Sequence, residues 1–585
     1  MANRRVWANR LACSLVTVGL LLGSAQRKLV AQPSAKSKST AVFTPADFKV
    51  PAGMTVELAA GPPLVSHPIM ACFDDRGRLF VAESAGLNLS AGDLEKELPN
   101  SIRMLEDTDG DGRFDRSTVF ADRMTFPMGG TWHDGALYVA SPPSIWRLED
   151  TDGDGVADRR ETLVNHFGYT GNAASIHGCF TGPDGRLYWC DGYHGHEFRD
   201  AQGRVTSKRK GSYIFSCRPD GSDVRIHCGG GMDNPVEVDF TDEGEMLGTV
   251  NIFYTRPRVD CLVHWLYGGA YPHREQVLDE LQTTGELLGP AHRFGHVAVS
   301  GMMRYRSGAL NSQWRNNVFV TFFNSGKVVR LELERKGSTF QATQREFLSS
   351  TSQGVHPTDV LEDADGSLLV VDTGGWFYRG CPTSQIAKPD VLGAIYRVRR
   401  QGALAVDDPW GRRIRFEKLS HDQLVSLLDD GRFQVRQRAI QHCAQRAGAI
   451  VPSLERALQR GNTKTRLNAV WALVRIVSNA ISNKTTAVAP GAQDQERAAH
   501  ARSVIRQALV DSEVSVRQAA CHSLAVNPDR RAVAQLLNIL QTDQPAVRLA
   551  AARALGRCGD PQAVPGLLQT LRLKLDRSLE HSVVW

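Results

Sequence analysis

From about residue 50 to residue 400, short apolar runs alternate with turns rich in Gly, Asp and Pro. This is the spacing of strands and hairpins, not of helices. One phrase recurs: a turn ending in Gly or Asn, then a run of apolar and aromatic residues. It reads GRLFVAES at Gly77, GALYVASP at Gly135, GRLYWCDG at Gly185, GEMLGTVN at Gly244, NNVFVTFF at Asn316 and GSLLVVDT at Gly366. Successive copies start 58, 50, 59, 72 and 50 residues apart. A four-stranded blade with its loops needs roughly 40–60 residues, so six copies predict a six-bladed β-propeller over 45–402. The strand Gly393–Arg400 would end its last blade. A pair of β-sandwiches does not account for one phrase at that spacing.

After Asp407-Asp408-Pro409 the period becomes helical, with apolar residues every three or four positions in LSHDQLVSLL, VRQRAIQHCA and VPSLERAL. A second theme returns at Val435-Arg436, Thr465-Arg466, Val516-Arg517 and Val547-Arg548, each followed by Ala-rich helix. An insertion rich in Ser, Thr, Asn and Gly, residues 478–495, separates the second copy from the third. Such a pattern predicts an α-solenoid of HEAT-like repeats over 411–585, with an irregular helical bundle as the alternative. The run Gly559–Leu571 resembles the start of a HEAT repeat, with Pro565 in the first helical turn. A solenoid of this kind implies a protein partner. The chain ends at Val584-Trp585 without a polar capping helix, so further chain is expected beyond it.

The N-terminus reads as an export signal, residues 1–31, followed by a polar linker, 32–44. Arg4, Arg5 and Arg10 precede an apolar core, Leu11–Ala25, that is too short for a span of ~20 residues. Small residues at Gly23-Ser24-Ala25 and Val30-Ala31 offer cleavage sites. Retention as an uncleaved anchor is the alternative, and no later segment is apolar enough to span a membrane. The expected location is periplasmic or extracellular. The net charge of +6 hides an asymmetry. Residues 1–40 carry +7, residues 41–410 carry −13 and residues 411–585 carry +12. The basic tail suits an acidic partner or anionic surface, or simply solvated helix faces. No nucleic-acid partner is expected.

Two acidic loops fall in the first blades: DTDGDGRFD, Asp107–Asp115, and DTDGDGVAD, Asp150–Asp158. Carboxylates at positions 1, 3, 5 and 9 with Gly at 6 match a Ca²⁺ loop, here carried by strands. The candidate ligands are Asp107, Asp109, Asp111 and Asp115 in the first loop. In the second they are Asp150, Asp152, Asp154 and Asp158, with Glu161 at position 12, where the first loop has Thr118. A Ca²⁺ ion there would tie a blade edge; a solvated acidic turn is the alternative.

The hairpin Ser175–His196 gathers the best candidates for chemistry. Asp184-Gly185 predicts a two-residue turn. That register sets Cys179 opposite Cys190 and places His177 at one end of the hairpin, near Asp191, His194 and His196. Asp191, His194 and His196 could hold a transition metal, or serve only as polar loop residues. The Cys179/Cys190 pair, and Cys217/Cys228 across a second turn, are candidate disulfides in an exported chain. Cys443, Cys521 and Cys558 read as small core residues. There is no CxxC and no CxxCH, so neither a zinc knuckle nor covalent haem is supported.

The phrases FGHVAVSGMMRYRSG (Phe294–Gly308), HPTDVLEDADGSLLVVDTGGWF (His356–Phe377) and GCPTSQIAKPDVLGAIYRVRR (Gly380–Arg400) carry a family resemblance. The body resembles the soluble quinoprotein glucose/sorbosone dehydrogenases. The whole chain is similar to the exported planctomycete-type "membrane-bound dehydrogenase" proteins, which join such a propeller to HEAT repeats. Many of those end in a c-type haem domain with CxxCH, a motif absent from these 585 residues, so electron transfer to an on-board haem is not expected. The resemblance implies that His177, before the GPDG turn, is the base that takes a substrate hydroxyl proton during hydride transfer to pyrroloquinoline quinone. Imidazole suits the role because its ordinary pKa lies near neutrality. The family also has an Arg-Asn-Pro motif one blade later. Asn234 and Pro235 keep it, but Asp233 replaces the arginine that would stabilise the reduced quinone. Arg256 or Arg258 would have to supply that charge. His292, His296, His356 and Asp359 are expected at the central channel or in turn-stabilising hydrogen bonds. Trp376 and Phe377 are read as packing between blades, with stacking on a sugar ring as the alternative.

Three functions are compatible with these residues. One is an exported oxidoreductase acting on a sugar or polyol, with His177 as base and a quinone acceptor. Another is a non-catalytic propeller and solenoid that binds a glycan or protein. The third is a metal-dependent lactonase or hydrolase built from channel His and Asp residues. Fold alone does not choose among them.

Overall fold

The computed structural model describes residues 42–200, 202–378, 387–481 and 492–585, apart from the side chains of Met232, Asp233, Ala492 and Asp494. The expected signal and most of the linker, residues 1–41, lie outside the described residues, as does most of the 478–495 insertion. Residues from Thr40 to Trp585 form one compact unit.

Six antiparallel sheets are arranged as the blades of a propeller. Their innermost strands are Pro68–Phe73, Gly130–His133, His177–Thr181, Met232–Phe240, Val299–Arg304 and Pro357–Glu362. Each touches the next, and the sixth touches the first, so the ring is closed around a central channel. Every copy of the recurring phrase is the turn into, and the body of, the second strand of a blade: Leu79–Glu83, Ala136–Ser141, Leu187–Asp191, Met246–Phe253, Val318–Phe322 and Leu368–Gly374. The turn residue has φ between +68° and +100° in all six, which is why Gly or Asn recurs there.

The sequence period did not reveal how the ring is sealed. The early strand Met54–Ala60 pairs with the last strand, Leu392–Arg400, so blade six is built from both ends of the propeller segment. Carboxylates set in apolar strands lace neighbouring blades together. Asp359 Oδ2 accepts the Ala71 N–H across the seam at 2.9 Å. Glu237 and Asp239 accept the Met302 and Arg304 N–H groups of the next blade.

The helices follow in pairs, Phe433–Gln445 with Val451–Arg460, Thr463–Ile481 with Ala492–Gln507, Val514–Val526 with Val533–Thr542, and Pro545–Cys558 with Val564–Thr570. The second theme marks the first turn of the first helix of each pair. Its arginines form a ladder: Arg466 pairs with Asp511, and Arg517 pairs with Asp543. Cys443 and Cys521 are fully buried in the helical core and Cys558 nearly so. No helix among the described residues is long and apolar enough to cross a membrane.

The first helices face the propeller, at the end where the innermost strands finish. Trp471 Nε1 donates to the Asp242 carbonyl at 2.8 Å, and Arg475 Nε donates to the Pro183 carbonyl at 3.0 Å. Arg557 donates to Tyr267, and His581 contacts the Tyr267 carbonyl. The helical repeats thus close one end of the channel.

Candidate functional site

His177 begins the innermost strand of blade three, at the channel end away from the helices. The strand does not follow the register expected from a two-residue turn. Gly182 N–H bonds the Arg186 carbonyl, which makes the loop one residue longer, and a bulge at Cys179 shifts the register again. His177, not Cys179, stands opposite Cys190. Gly178 permits the bulge: its φ is +111°, and its N–H reaches the Met128 carbonyl of blade two at 3.2 Å.

Neither expected disulfide is present: Cys179, Cys190, Cys217 and Cys228 are all free thiols. Cys179 and Cys217 pack in the core shared with blade two, while Cys190 and Cys228 pack on the blade-four side. Each proposed pair therefore points to opposite faces of its sheet.

His177 and Asn234 do come together. His177 Nε2 contacts the Ala173 carbonyl at 2.7 Å, and Asn234 Nδ2 donates to the same oxygen at 2.9 Å. That contact fixes the proton on Nε2 and leaves Nδ1 as the lone-pair atom. Among the described residues, His177 Nδ1 and Asn234 Oδ1 are buried without a partner. Burial pushes the imidazole down to about 4, against smaller upward pulls from Ala173 and Asn234. His177 is only 2 % exposed, so it is sealed beneath the segment that carries Ala173.

Arg256 and Arg258 do not join this centre. Both are exposed beyond the strand Met246–Phe253. The Arg258 guanidinium lies over the Tyr254 ring, 4.4 Å from its centroid, and neither arginine is among the groups that shift His177. The Asp233 side chain lies outside the described residues. Pyrroloquinoline quinone, which gains negative charge on reduction, therefore finds no cation among the described residues at His177. The donor set does not fit it.

The Asp191, His194 and His196 trio is not a metal set. Asp191 and His196 form a buried pair, Oδ2 to Nδ1 at 3.6 Å, among the aromatic side chains of blade three. Burial raises the Asp191 carboxyl and lowers His196 to about 4. His194 turns away, to Thr170 and the Tyr193 ring. His292 lies on the outermost strand of blade four, bonded to Gln344, and His296 is exposed, so neither lines the channel. His356 is held at the Gly354 and Gly374 carbonyls beside Phe323. Asp359 does face the channel. Trp376 and Phe377 are buried packing groups, as expected.

Each acidic loop joins the third and fourth strands of its blade and leans on the preceding blade. Phe114 N–H bonds the Ala59 carbonyl of blade six, and Ala157 N–H bonds the Phe120 carbonyl of blade one. Asp107, Asp109 and Asp115 converge in the first loop, and Asp150, Asp152 and Asp154 in the second. Asp111 caps the Arg113 N–H, and Asp158 is taken up by Thr151. Glu161 stays out on its strand, near Arg159, and supplies no twelfth-position ligand.

Of the channel carboxylates, the sequence singles out Asp359 but not its neighbour Glu237. Glu237 is raised well above its ordinary range by burial and by the nearby Asp359, and burial raises Asp359 to about 7. The signal was present as acids at inward positions of apolar strands, in VEVDF and TDVLE.

Fold and site together define a six-bladed propeller continued into helical repeats. Residues 44–401 match the profile of a domain of unknown function, DUF7133, and the chain belongs to that family. Residues 501–585 match HEAT repeats. No curated protein sequence matches. Among solved structures, the propeller is similar to a Thermus thermophilus protein assigned as a glucose dehydrogenase oxidoreductase, with 17 % identity, TM-score 0.42, and 59 % of this chain and 100 % of that one covered. It is similar also to a gluconolactonase of Xanthomonas campestris, with 13 % identity, TM-score 0.36, and 61 % and 96 % covered. A virginiamycin B lyase of Staphylococcus aureus matches at 10 % identity and TM-score 0.32, with 59 % and 99 % covered. At these scores the likeness does not extend to activity.

Proposed function

We propose that this chain acts on a sugar or polyol hydroxyl at the His177 end of the channel, with His177 as the proton-accepting base. The observation that supports this is the fixed tautomer: Nε2 is committed to Ala173 while Nδ1 keeps a free lone pair beside Asn234. A neutral imidazole is the competent form of a base, and burial keeps it neutral. Asn234 Oδ1 would accept a second substrate hydroxyl. Because His177 is sealed beneath the segment that carries Ala173, substrate would reach Nδ1 only if that segment moved. Since the quinone does not fit, the reading is confined to proton transfer. It retains the sugar-directed character implied by the resemblance to planctomycete-type dehydrogenase proteins, and export through residues 1–31; oxidation of the hydroxyl would require a separate electron acceptor, supplied in the test by the dye. The test is turnover of a panel of sugars and polyols, with dye reduction and product analysis, by the natural chain and by His177→Ala. Turnover lost in the variant is expected. Equal rates, or no turnover in a folded chain, would overturn the reading.

A second reading, a non-catalytic scaffold for a glycan or protein, is favoured by the near-complete burial of His177. Saturable binding without turnover would support it. We also propose Ca²⁺ in the two acidic loops, where it would neutralise three converging carboxylates and fasten neighbouring blades.

A further inference from the structure

Between the propeller and the helix Phe433–Gln445 lies a chamber of about 470 Å³, on the channel axis at the opposite end from His177. That is within the range of about 300–1,000 Å³ typical of small-molecule sites. Its propeller wall is formed by the finishing ends of all six innermost strands and includes Trp132, Phe180, Glu237 and Asp359. Its helical wall is rich in amides. Gln434, Gln437 and Gln441 recur at helical spacing along the face that lines the chamber. Gln441 is engaged by Arg475, but the Gln434 and Gln437 amides have no protein partner among the described residues.

The charges in the wall narrow the ligand. Arg304 is neutralised by Asp242, and Arg306 by Asp239. Arg475 is held by the Pro183 carbonyl and Gln441, and Arg438 by the Trp410 carbonyl and the Phe416 ring. Among the described residues every arginine of the wall is already engaged, and the carboxyls of Glu237, Asp239, Asp242 and Asp359 in the same wall disfavour an anionic ligand. What remains are amides, which donate and accept, the carboxyls of Glu237 and Asp359, which burial raises above their ordinary range, and flat aromatic surface from Trp132 and Phe180. Hydroxyl groups also donate and accept, and the C–H faces of sugar rings pack on aromatic rings.

A second cavity of about 260 Å³ shares His133, Asp134, Gln441, Gln445 and Arg475 with the chamber. The hydrogen bond from Gln445 Nε2 to Asp134 Oδ1, 2.6 Å, spans from helix to propeller between the two. An elongated ligand would run from the chamber into this second space past that bond.

We propose that the chamber between the propeller and the helix Phe433–Gln445 binds the end of a neutral oligosaccharide, which leads out past Gln445 and Asp134. This site stands apart from the chemistry proposed at His177 and does not depend on it. The test is isothermal titration of the full chain with neutral di- to tetrasaccharides of glucose, xylose and mannose. The paired variant Gln434→Leu/Gln437→Leu changes a solvent-facing helix surface and leaves the core intact. Asp359→Asn keeps the side-chain volume and one acceptor oxygen for the Ala71 N–H while removing the charge. Binding to at least one saccharide, weakened tenfold or more by each variant with unaltered circular dichroism, is the expected result. Several outcomes would overturn the proposal: no saccharide binds at millimolar concentration, affinity is unchanged in both variants, or only amines bind. Affinity lost in His177→Ala and kept in the chamber variants would place the saccharide at the other end of the channel. That result would refute the chamber and leave the His177 reading standing.

Discussion

Gly244→Ala should cost more stability than Gly135→Ala, although the two glycines occupy the same turn position in different blades. Both have positive φ, +100° and +82°, so each alanine carries a backbone cost of about 1–2 kcal/mol. At Gly135 an added Cβ meets nothing within 4 Å, whereas at Gly244 it would lie 2.7 Å from Cη2 and 2.9 Å from Cζ2 of Trp471. Trp471 has no easy retreat, because it is 3 % exposed and its indole N–H is bonded to the Asp242 carbonyl. Overpacking of this kind adds about 1–3 kcal/mol, and that increment is the expected difference between the variants. Urea unfolding followed by tryptophan fluorescence and by circular dichroism measures it. Trp471→Ala should remove the increment in a double-mutant cycle, leaving Gly244→Ala with the cost of Gly135→Ala. Equal losses in the two single variants, or a Gly244→Ala penalty that survives Trp471→Ala, would refute the view that the turns of the propeller bear on the helices. Separation of the unfolding curve into two transitions in Gly244→Ala alone would support it.

Two further outcomes follow from the same geometry. His177 has a folded pKa of about 4, below its ordinary value of 6.5. The unfolded chain therefore binds the proton more readily below pH 6.5, and stability falls as the pH drops from there towards 4. The contribution is about 1.4 kcal/mol per pH unit in that window. His177→Asn should lose less stability than the natural chain between pH 7 and pH 4.5, and parallel profiles would contradict the burial of a neutral imidazole. Millimolar Ca²⁺ should raise the thermal midpoint by a few degrees, and Asp107→Ala combined with Asp150→Ala should abolish the rise. An unchanged midpoint, together with no ion uptake by equilibrium dialysis, would leave the loops as plain acidic turns.

The blade count was legible because one physical requirement, a left-handed turn residue before a buried second strand, repeats six times. The helical repeats were legible for a similar reason, since Val435-Arg436 and its relatives begin first helices, and in two of them, at Arg466 and Arg517, the arginine reaches an aspartate of the next repeat. The meeting of His177 and Asn234 could be anticipated only through resemblance. Side chains on innermost strands of adjacent blades are close because the ring closes, which no local spacing records. The Cys179/Cys190 pairing failed on two one-residue shifts, and Cys217/Cys228 failed on its own strand pair, where Cys228 stands opposite Ile214. A loop one residue longer than expected and the bulge at Cys179 moved the register, and register decides which face of a sheet a side chain occupies. The chamber was hidden because its walls come from segments more than two hundred residues apart in sequence, Thr131–Gly135 and Phe433–Gln445 among them.

The sealing of blade six by Met54–Ala60 and Leu392–Arg400 also sets an order of events in synthesis. This early strand waits, with its backbone edge unpaired, until nearly the whole propeller segment has followed it. An apolar strand with an open edge can pair with another chain in the meantime. Assembly of this protein is therefore a matter of timing, and a holding factor that shields the Met54–Ala60 edge should improve the yield of folded chain more than one that shields any later strand.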